Sequence, residues 1–437
     1  MEKFQELYGI LQKEVKPALG CTGPIGGCYL AAEAYDAAGG GEIKKILVEG
    51  ACGPKSDDVA FPGTEYLGIE MAYALGAVCG DPKAGLRVLH TVTPEGELKA
   101  RKVAELVEMN PDWERTELNA PRKITIETDQ GVGVAITHGA PDGLVFKSHN
   151  GEVLLERERD PNNVAGKTPI MKYKVKDFFE FAATYPLDEL GIMKEAVEMN
   201  TKMADYMFTH EFPVNIGMIG KTLLAAGEDS PVARAKANAA AACEGRMSGV
   251  NLPIMSVGGK GNVGVASSMP IISLARDLGK SEEEMIRALT LSTLVAIAVI
   301  QRIGKAPTMC SCEVAAALGV SAGATLLMGG DEAKVEIAMQ NFIPNVFGVV
   351  CDGAKLACAL RMATATGAAL DAANLAVKGV RLANNQGVLD VDIDASIDFL
   401  GDFALNCMLE SDMALNRKMM EKRKIFPLMT FTERQKQ

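Results

Sequence analysis

Thiol side chains are concentrated in one stretch of this sequence. Four of the ten cysteines fall between positions 310 and 358, and these are Cys310, Cys312, Cys351 and Cys358. The chain begins with an amphipathic helix pattern and not with an export signal, so we expect clustered thiols to bind metal or do redox chemistry. The spacing fits no zinc finger. Two interpretations stay open: an iron–sulfur cluster held by three thiolates, with an open iron as Lewis acid, or buried structural cysteines.

A second cysteine could carry chemistry near the start of the chain. Cys21 lies in a Gly-Cys-Thr-Gly-Pro segment, and a helix pattern follows it up to Ala38. Thr22 is the predicted N-cap, which would place Cys21 at the N-terminal end of that helix. Backbone N–H groups and the helix dipole stabilise a thiolate there. The alternative is that Cys21 and Cys28 are packing residues of a tight turn.

A glycine-rich segment runs from Ser256 to Gly264. Its glycines would let the backbone approach a ligand and present N–H groups to a carboxylate or phosphate. Lys260 is followed by Gly261, so the segment is not a Walker loop. We also predict that it lacks the setting of a dinucleotide-binding fingerprint, in which a strand precedes the glycines and a helix follows them. An anion-binding loop and a simple glycine-rich connection are both compatible with this pattern. The four histidines are scattered and indicate no metal site.

Composition excludes several classes of protein. The formal net charge of −11 and the pI near 5.1 argue against a nucleic-acid surface, which requires a basic stripe. The most apolar run, 289–300, is too short to cross a bilayer core of about 30 Å and predicts a buried helix. We therefore expect a cytoplasmic protein that binds neither nucleic acid nor membrane. The sequence leaves open whether it forms a homo-oligomer.

Periodicity divides the chain into two predicted domains, and the fold class is α+β. Residues 1–174 should form an α+β domain with a mostly antiparallel sheet, and residues 175–437 an all-helical domain. In the first part, helices are predicted at 2–16 and 66–78 and strands at 43–49, 86–92, 124–128 and 131–138, with a hairpin turn at Asn150-Gly151. In the second part, helices are predicted at 177–183, 187–210, 216–226, 231–244, 281–303, 313–328, 332–340, 354–377 and 397–421.

Three motifs together resemble a known family. They are Leu19-Gly20-Cys21-Thr22-Gly23-Pro24, Cys312-Glu313-Val314-Ala315-Ala316, and Cys351-Asp352-Gly353-Ala354-Lys355 with Cys358 after it. This combination resembles the L-cysteine desulfidase family, which is related to the α-chain region of iron–sulfur L-serine dehydratases. The resemblance covers nearly the whole chain, and the combination is more specific than any single motif.

The resemblance implies an oxygen-sensitive lyase with a 4Fe-4S cluster and no pyridoxal phosphate, which converts the small-molecule substrate L-cysteine to hydrogen sulfide, pyruvate and ammonia. By position, it implies Cys312, Cys351 and Cys358 as cluster ligands, with Cys310 competing for the first place. Cys21 matches the cysteine that acts as the base in that family. The residues that would hold the substrate carboxylate lie in the glycine-rich segment: Ser256, Gly258, Gly259, Lys260, Gly261 and Asn262.

The chain departs from the family pattern at two places near the expected substrate. It has Gly23 where an acidic residue is usual, and Gly258 to Gly264 replace the usual Ser-Gly, Asn-Gln-Gly loop. L-serine or another β-substituted amino acid is therefore a close alternative substrate. A non-catalytic protein that uses a cluster or a bound amino acid to sense redox state is the alternative from another class.

Overall fold

The structure is a computed structural model, and it describes residues 2–64, 66–113, 120–158, 168–212, 215–227, 229–304, 308–423, 430, 432 and 433. The strands are β1 Val15–Ala18, β2 Ile43–Gly50, β3 Val107–Pro111, β4 Arg122–Thr128, β5 Val132–Thr137, β6 Leu144–His149, β7 Glu152–Glu156 and β8 Ile254–Val257. The helices are α1 Glu2–Glu14, α2 Thr22–Ala38, α3 Ile69–Cys79, α4 Pro94–Val103, α5 Val175–Thr184, α6 Gly191–Thr209, α7 Met218–Ala226, α8 Pro231–Met247, α9 Gly261–Asp277, α10 Glu282–Ile303, α11 Ala317–Leu327, α12 Glu332–Val346, α13 Ala357–Val377, α14 Ile393–Asp402 and α15 Leu409–Arg423.

The N-terminal part is built on one twisted sheet, in the order β3-β2-β4-β5-β6-β7. Strands β2 and β3 are parallel, and the other neighbours are antiparallel. The predicted hairpin turn is confirmed, since Asn150 and Gly151 both have positive φ, 48° and 89°. Helices α2 and α3 cover one face of the sheet and share its apolar core. The predicted α+β class is confirmed.

Helix α2 approaches the sheet closely because strand β5 presents small residues to it. Along β5 the buried positions are Gly133, Ala135 and Thr137, while the valines and isoleucine between them are more exposed. A Cβ atom at Gly133 would lie 3.0 Å from the carbonyl carbon of Ala37 in α2, which is too close for a side chain. This close approach fixes where α2, and therefore its N-terminal end, lies on the sheet.

The C-terminal part is a helical layer around α10. Helices α8, α9, α10, α11 and α13 pack on one another and form the larger apolar core. Helix α10 is long and apolar enough to cross a membrane by length and composition, but 94% of that stretch is buried inside the fold. Such burial is typical of a core helix, as the sequence predicted for 289–300.

Three predictions about elements are wrong. Residues 86–92 are not a strand, because a 3₁₀ helix at Pro82–Arg87 and a turn occupy this region. The helical part contains a strand, β8, which pairs with β1 from the start of the chain. Residues 397–421 form two helices with a π-helical turn between them. In addition, Leu7 and Leu11 of α1 pack in the larger core together with the C-terminal helices. The predicted domain boundary at residue 174 remains a prediction.

Candidate active site

The pairing of β1 with β8 brings the start of the chain to the glycine-rich segment. Lys16 lies opposite Ser256 in this two-stranded sheet, and the Ser256 hydroxyl donates to the Lys16 carbonyl at 2.7 Å. Two residues further on, the Gly258 N–H donates to the Glu14 carbonyl at 2.9 Å. The segment that leads to Cys21 is therefore tied to residues that lie about 240 positions away in the sequence.

The glycine-rich segment is a strand, a tight turn and a helix, so the prediction that it lacks this setting is wrong. Gly258 and Gly259 have φ of 61° and 74°, and the Lys260 N–H closes the turn on the Val257 carbonyl at 3.0 Å. Helix α9 begins at Gly261. A Cβ at Gly264 would lie 2.8 Å from the carbonyl carbon of Met255, so this glycine allows α9 to pack directly on β8.

Lys260 projects from this turn toward the cysteine segment. Its ammonium donates to the Ser311 hydroxyl at 2.9 Å, next to Cys312. Burial lowers the pKa of Lys260 to about 8, while the thiols of Cys351 and Cys312 act in the opposite direction. A lysine in this position supplies positive charge at neutral pH close to the thiols.

Cys21 lies at the N-cap of α2, and Thr22 is the first helical residue, so the prediction of Thr22 as N-cap is wrong by one position. The Cys21 side chain is partly buried and makes no capping hydrogen bond. Its carbonyl accepts from the Ile25 N–H at 3.1 Å, which starts the helix. The thiol is therefore at the positive end of a helix, as predicted. Cys28, by contrast, is fully buried in the smaller core, where burial raises the pKa of its thiol.

The two cysteine segments are held against each other by backbone hydrogen bonds. The Cys310 N–H donates to the Val349 carbonyl, and the Cys351 N–H donates to the Thr308 carbonyl, both at 2.8 Å. These bonds flank an antiparallel bridge between Met309 and Val350. A π-helical turn at Cys312–Ala316 follows and leads into α11. Such turns occur often at functional sites.

The second cysteine segment also contacts the N-terminal part. The Ala354 N–H donates to the Lys55 carbonyl at 2.9 Å, and Gly353, with φ of 98°, lies against the same residue. The Lys55 ammonium pairs with Asp412 of α15, whose side chain is only 5% exposed. Asn416, one turn later, donates to the Asp412 carboxylate at 3.1 Å. Helix α15 thus fastens the Lys55 region beside the cysteines.

The thiols of Cys310 and Cys312 interact with each other. A hydrogen bond from Cys312, together with the Glu313 N–H and the nearby Arg361 guanidinium, lowers the pKa of the buried Cys310 thiol. The same bond, together with burial, raises the pKa of Cys312. Burial also raises the pKa of Glu313 to about 8, although Arg361 lies 3.5 Å from its carboxylate. Asp352 pairs with Arg361 at 3.1 Å from the other side.

One cavity of about 1170 Å³ brings all of the predicted site residues together. Its lining includes Cys21, Ser256, Gly258, Gly259, Lys260, Gly261, Asn262, Cys310, Cys312, Cys351 and Cys358. Among the described residues that line it, eight are Lys or Arg and four are Asp or Glu. A cavity with this excess of cations attracts an anionic ligand, such as the carboxylate of an amino acid.

Sequence reasoning missed most of the charged residues of this cavity, among them Lys55, Arg246, Arg361 and Asp412. Arg361 lies one turn after Cys358 on α13, and that spacing could have indicated it. Arg246 stands near the end of the alanine-rich helix α8, which also carries Arg234 and Lys236, so its residue type alone gave no signal. Lys55 and Asp412 meet only through the tertiary fold, and no local pattern relates them.

The three cysteines of the predicted ligand set lie around one cavity. Among the residues that the structure describes, no three His, Cys, Asp or Glu side chains stand close enough to hold one metal ion. A multi-iron cluster occupies the space between its ligands, so its thiolates surround a cavity. Cys312, Cys351 and Cys358 line the cavity together, and Lys260 and Arg361 beside them can offset thiolate charge.

Comparison with known proteins identifies the family of the chain. Residues 83–415 match the family model described as serine dehydratase alpha chain. The chain belongs to the serine dehydratase α-chain family. The predicted relationship to these dehydratases is therefore confirmed, and membership indicates a lyase of amino-acid catabolism.

Curated relatives match over most of the chain. The UPF0597 protein BF3560 of Bacteroides fragilis is 33% identical over 419 residues, covering 93% of this chain and 96% of the relative. The UPF0597 protein TTE0269 of Caldanaerobacter subterraneus is 32% identical over 420 residues, covering 95% and 98%. A UPF0597 protein of Clostridium perfringens is 32% identical over 439 residues, covering 96% and 99%. These names state no activity, so the family gives the reaction class and leaves the substrate open.

Proposed function

We propose that this protein is an iron–sulfur-dependent lyase that eliminates sulfide from L-cysteine and yields hydrogen sulfide, pyruvate and ammonia. One observation carries the proposal: Cys21, the glycine-rich turn and the cysteine segments line the same cavity. These residues are far apart in the sequence, so chain proximity does not explain why they meet. The family places the chain among lyases, and the cavity supplies the residue types that such an elimination needs.

Cys312, Cys351 and Cys358 are the residues that we propose to hold a 4Fe-4S cluster, with Cys310 as the competing first ligand. When bound, such a cluster supplies a Lewis acid that polarises the bond to the leaving group. The chain offsets the charge of the thiolates with Lys260, which Ser311 fixes at 2.9 Å, and with Arg361. Thiolate ligands must stay reduced, so we place the activity in the cytoplasm.

The glycine-rich segment is the proposed site for the amino acid's carboxylate. Lys260 provides an ammonium group, and the first turn of α9 provides N–H groups that have no partner within the helix. The tight turn at Gly258 and Gly259 leaves no side chain between these donors and the cavity. A carboxylate held here would lie between Cys21 and the cysteine segments.

Cys21 is the proposed base, and the step is balanced without an oxidant or a reductant. Its thiolate takes the α-proton, and the electron pair of that C–H bond forms the Cα–Cβ double bond. The Cβ–S bond breaks, and its electron pair leaves on sulfur, which becomes hydrogen sulfide after protonation. The released 2-aminoacrylate tautomerises to an imine, and water converts this to pyruvate and ammonia. A positioned base of this kind contributes about 10²- to 10⁴-fold to the rate.

L-serine is the second candidate substrate, and the name of the matching family favours it. The same proton abstraction would then be followed by loss of the hydroxyl group as water. Both substrates share the carboxylate and the α-proton, so the residues discussed above serve either reaction. The two differ only in the leaving group.

The decisive experiment uses the full chain, purified without oxygen and reconstituted with iron and sulfide. Visible absorption reports the cluster, and sulfide release from L-cysteine and pyruvate formation from L-serine report turnover in the same sample. Cys21→Ala is the test variant, and Cys407→Ala, at an exposed cysteine outside the cavity, is the matched control. We expect Cys21→Ala to lose turnover and keep the absorption band, and Cys407→Ala to keep both.

Other outcomes would change the conclusion. Turnover of L-serine alone would assign the dehydratase reaction. A cluster band without turnover of either amino acid would favour the non-catalytic sensor. Full activity in Cys21→Ala would exclude this thiol as the base. The proposal as a whole would be overturned if substitution of the three proposed ligands, Cys312, Cys351 and Cys358, changed neither the absorption band nor the activity.

A further inference from the structure

Arg246 is a buried arginine at the wall of the cavity that the proposed reaction does not yet use. It lies in the last turn of α8, and its side chain is 4% exposed. Among the described residues, no carboxylate forms an ion pair with its guanidinium group, and its buried Nε atom has no hydrogen-bond partner. A buried cation without a counter-ion is costly for folding, and a neutral side chain of similar volume would avoid this cost. Its presence therefore calls for a reason other than packing.

The two ends of its guanidinium group hold two parts of the proposed site. Nη2 donates to the Gly20 carbonyl at 2.7 Å, directly before Cys21. Nη1 donates to Asn262 Oδ1 at 2.8 Å, in the first turn of α9. The Asn262 amide nitrogen in turn lies 3.4 Å from the Met247 sulfur, which fixes the orientation of the amide. One rigid, planar group thus connects the base segment and the carboxylate-binding segment.

The backbone makes room for this group at one position. A Cβ at Gly261 would lie 2.6 Å from Arg246 Nη2, closer than real Cβ contacts come. Only glycine at 261 therefore lets α9 begin against the guanidinium. Gly20 has φ of 73°, a conformation that other residues rarely adopt, and this turns its carbonyl toward Arg246.

We infer that Arg246 is a positioning residue, which sets the distance between the Cys21 thiol and the Asn262 end of the carboxylate site. This inference rests on the proposed function of both segments. Arg246 acts through Gly20 and Asn262 and takes no part in bond making. Its two hydrogen bonds need the arginine fork, because a lysine ammonium cannot span both acceptors in the same geometry.

The test compares Arg246→Gln, Arg246→Lys and Gly261→Ala in the reconstituted full chain. Arg276→Gln is the matched control, since Arg276 is an exposed arginine of α9 that bonds only Thr201 at 3.3 Å and lies outside the cavity. We expect Arg246→Gln to lower kcat by about 100-fold, with a smaller change in KM and with the absorption band kept. Arg246→Lys should recover only part of this loss. Arg276→Gln should match the unchanged chain.

Two further readouts separate positioning from a merely structural role. The rate at which iodoacetamide alkylates Cys21, followed by peptide mass spectrometry, should rise severalfold in Arg246→Gln and in Gly261→Ala, because the segment before Cys21 is released. Arg246→Gln and Gly261→Ala should act on the same contact. A variant that carries both changes should therefore lose no more activity than the more impaired of the two single variants. Should Arg246→Gln fail to fold, Arg246→Lys and Gly261→Ala carry the comparison.

The results distinguish this inference from the proposed function. Unchanged kcat and unchanged Cys21 alkylation in the Arg246 variants, with an active parent chain, would overturn the inference alone. If the parent chain turns over no amino acid, the proposed function fails. In that case the alkylation rates still decide whether Arg246 holds Cys21 in place.

Discussion

Gly353 offers a test of how the second cysteine segment is held in place. It lies between Cys351 and Cys358 with φ of 98°, and a Cβ there would come within 2.6 Å of Lys55 Cα. Gly353→Ala therefore adds a methyl group where the backbone of another segment already stands. The neighbouring Gly348 has φ of 76° and no atom within 4 Å of such a Cβ. Gly348→Ala thus shares the backbone strain and lacks the clash.

The magnitude follows from the difference between these two variants. Alanine in a left-handed conformation costs about 1–2 kcal/mol, and this applies to both. The restriction of the unfolded chain by alanine is also common to both. Gly353→Ala adds an overpacking cost of about 1–3 kcal/mol and weakens the bond of the Ala354 N–H to the Lys55 carbonyl, at about 1 kcal/mol. We expect it to destabilise the protein by about 2–4 kcal/mol more than Gly348→Ala.

Urea unfolding of the cluster-free chain, followed by circular dichroism, measures this difference. Iron content after reconstitution is the second readout, because displacement of the segment moves Cys351 and Cys358 relative to the other thiols. We expect Gly353→Ala to retain less iron than Gly348→Ala. Equal unfolding midpoints and equal iron content in the two variants would refute the close packing of this segment against Lys55.

Three further predictions concern the ligands and the stability of the fold. Cys312→Ser should abolish the visible cluster absorption while Cys310→Ser keeps it; the reverse result would make Cys310 the first ligand. The Lys280 ammonium, the Ser281 N–H and the Ser281 hydroxyl lower the pKa of Glu284 to about 2 from an ordinary value of 4.5. Its carboxylate therefore stabilises the fold above that ordinary value, and this contribution disappears as the pH falls toward 2. The urea midpoints of the unchanged chain and of Glu284→Gln should therefore differ near neutral pH and converge in acid, and a difference independent of pH would contradict this. Asp412→Asn should lower the free energy of unfolding in urea by about 1.5–3 kcal/mol, because it removes the charge of one partner of the Lys55 ammonium, whose side chain is 24% exposed; a loss below about 0.5 kcal/mol would show that this ion pair contributes little to stability.

Local patterns in the sequence predicted the elements that depend on neighbouring residues. The Asn150-Gly151 turn was predictable because few residues adopt positive φ at two consecutive positions. The buried helix α10 was predictable from its unbroken apolar run. The motifs around Cys21, Cys312 and Cys351 indicated residues that line one cavity, because their combination resembles a known family.

Long-range pairing explains most of what the sequence could not predict. Strands β1 and β8 have four residues each, and β1 contains Pro17, so neither has a pattern long enough to predict a strand. Residues 86–92 have the apolar pattern of a strand. However, Pro82 and Gly85 lie just before this segment and favour a tight turn. The glycines near 261 predicted an anion-binding loop or a simple connection, and no local pattern showed that Gly264 allows α9 to pack closely on β8.

The position of the cavity explains why the site needs both parts of the chain. Cys312, Cys351 and Cys358 belong to the helical part, yet Cys21 begins a helix that packs against α3 and the sheet of the N-terminal part. If the proposed base were carried by the helical part, the same helix contacts would position both the base and the proposed cluster ligands. The position of the base could then not change without moving the ligands. Strand β1 solves this, because it pairs with β8 just before the chain reaches Cys21, and the thiol is thereby set against the glycine-rich turn before α2 joins the sheet. Substitutions that weaken the β1–β8 pairing should therefore impair turnover more than they impair cluster binding.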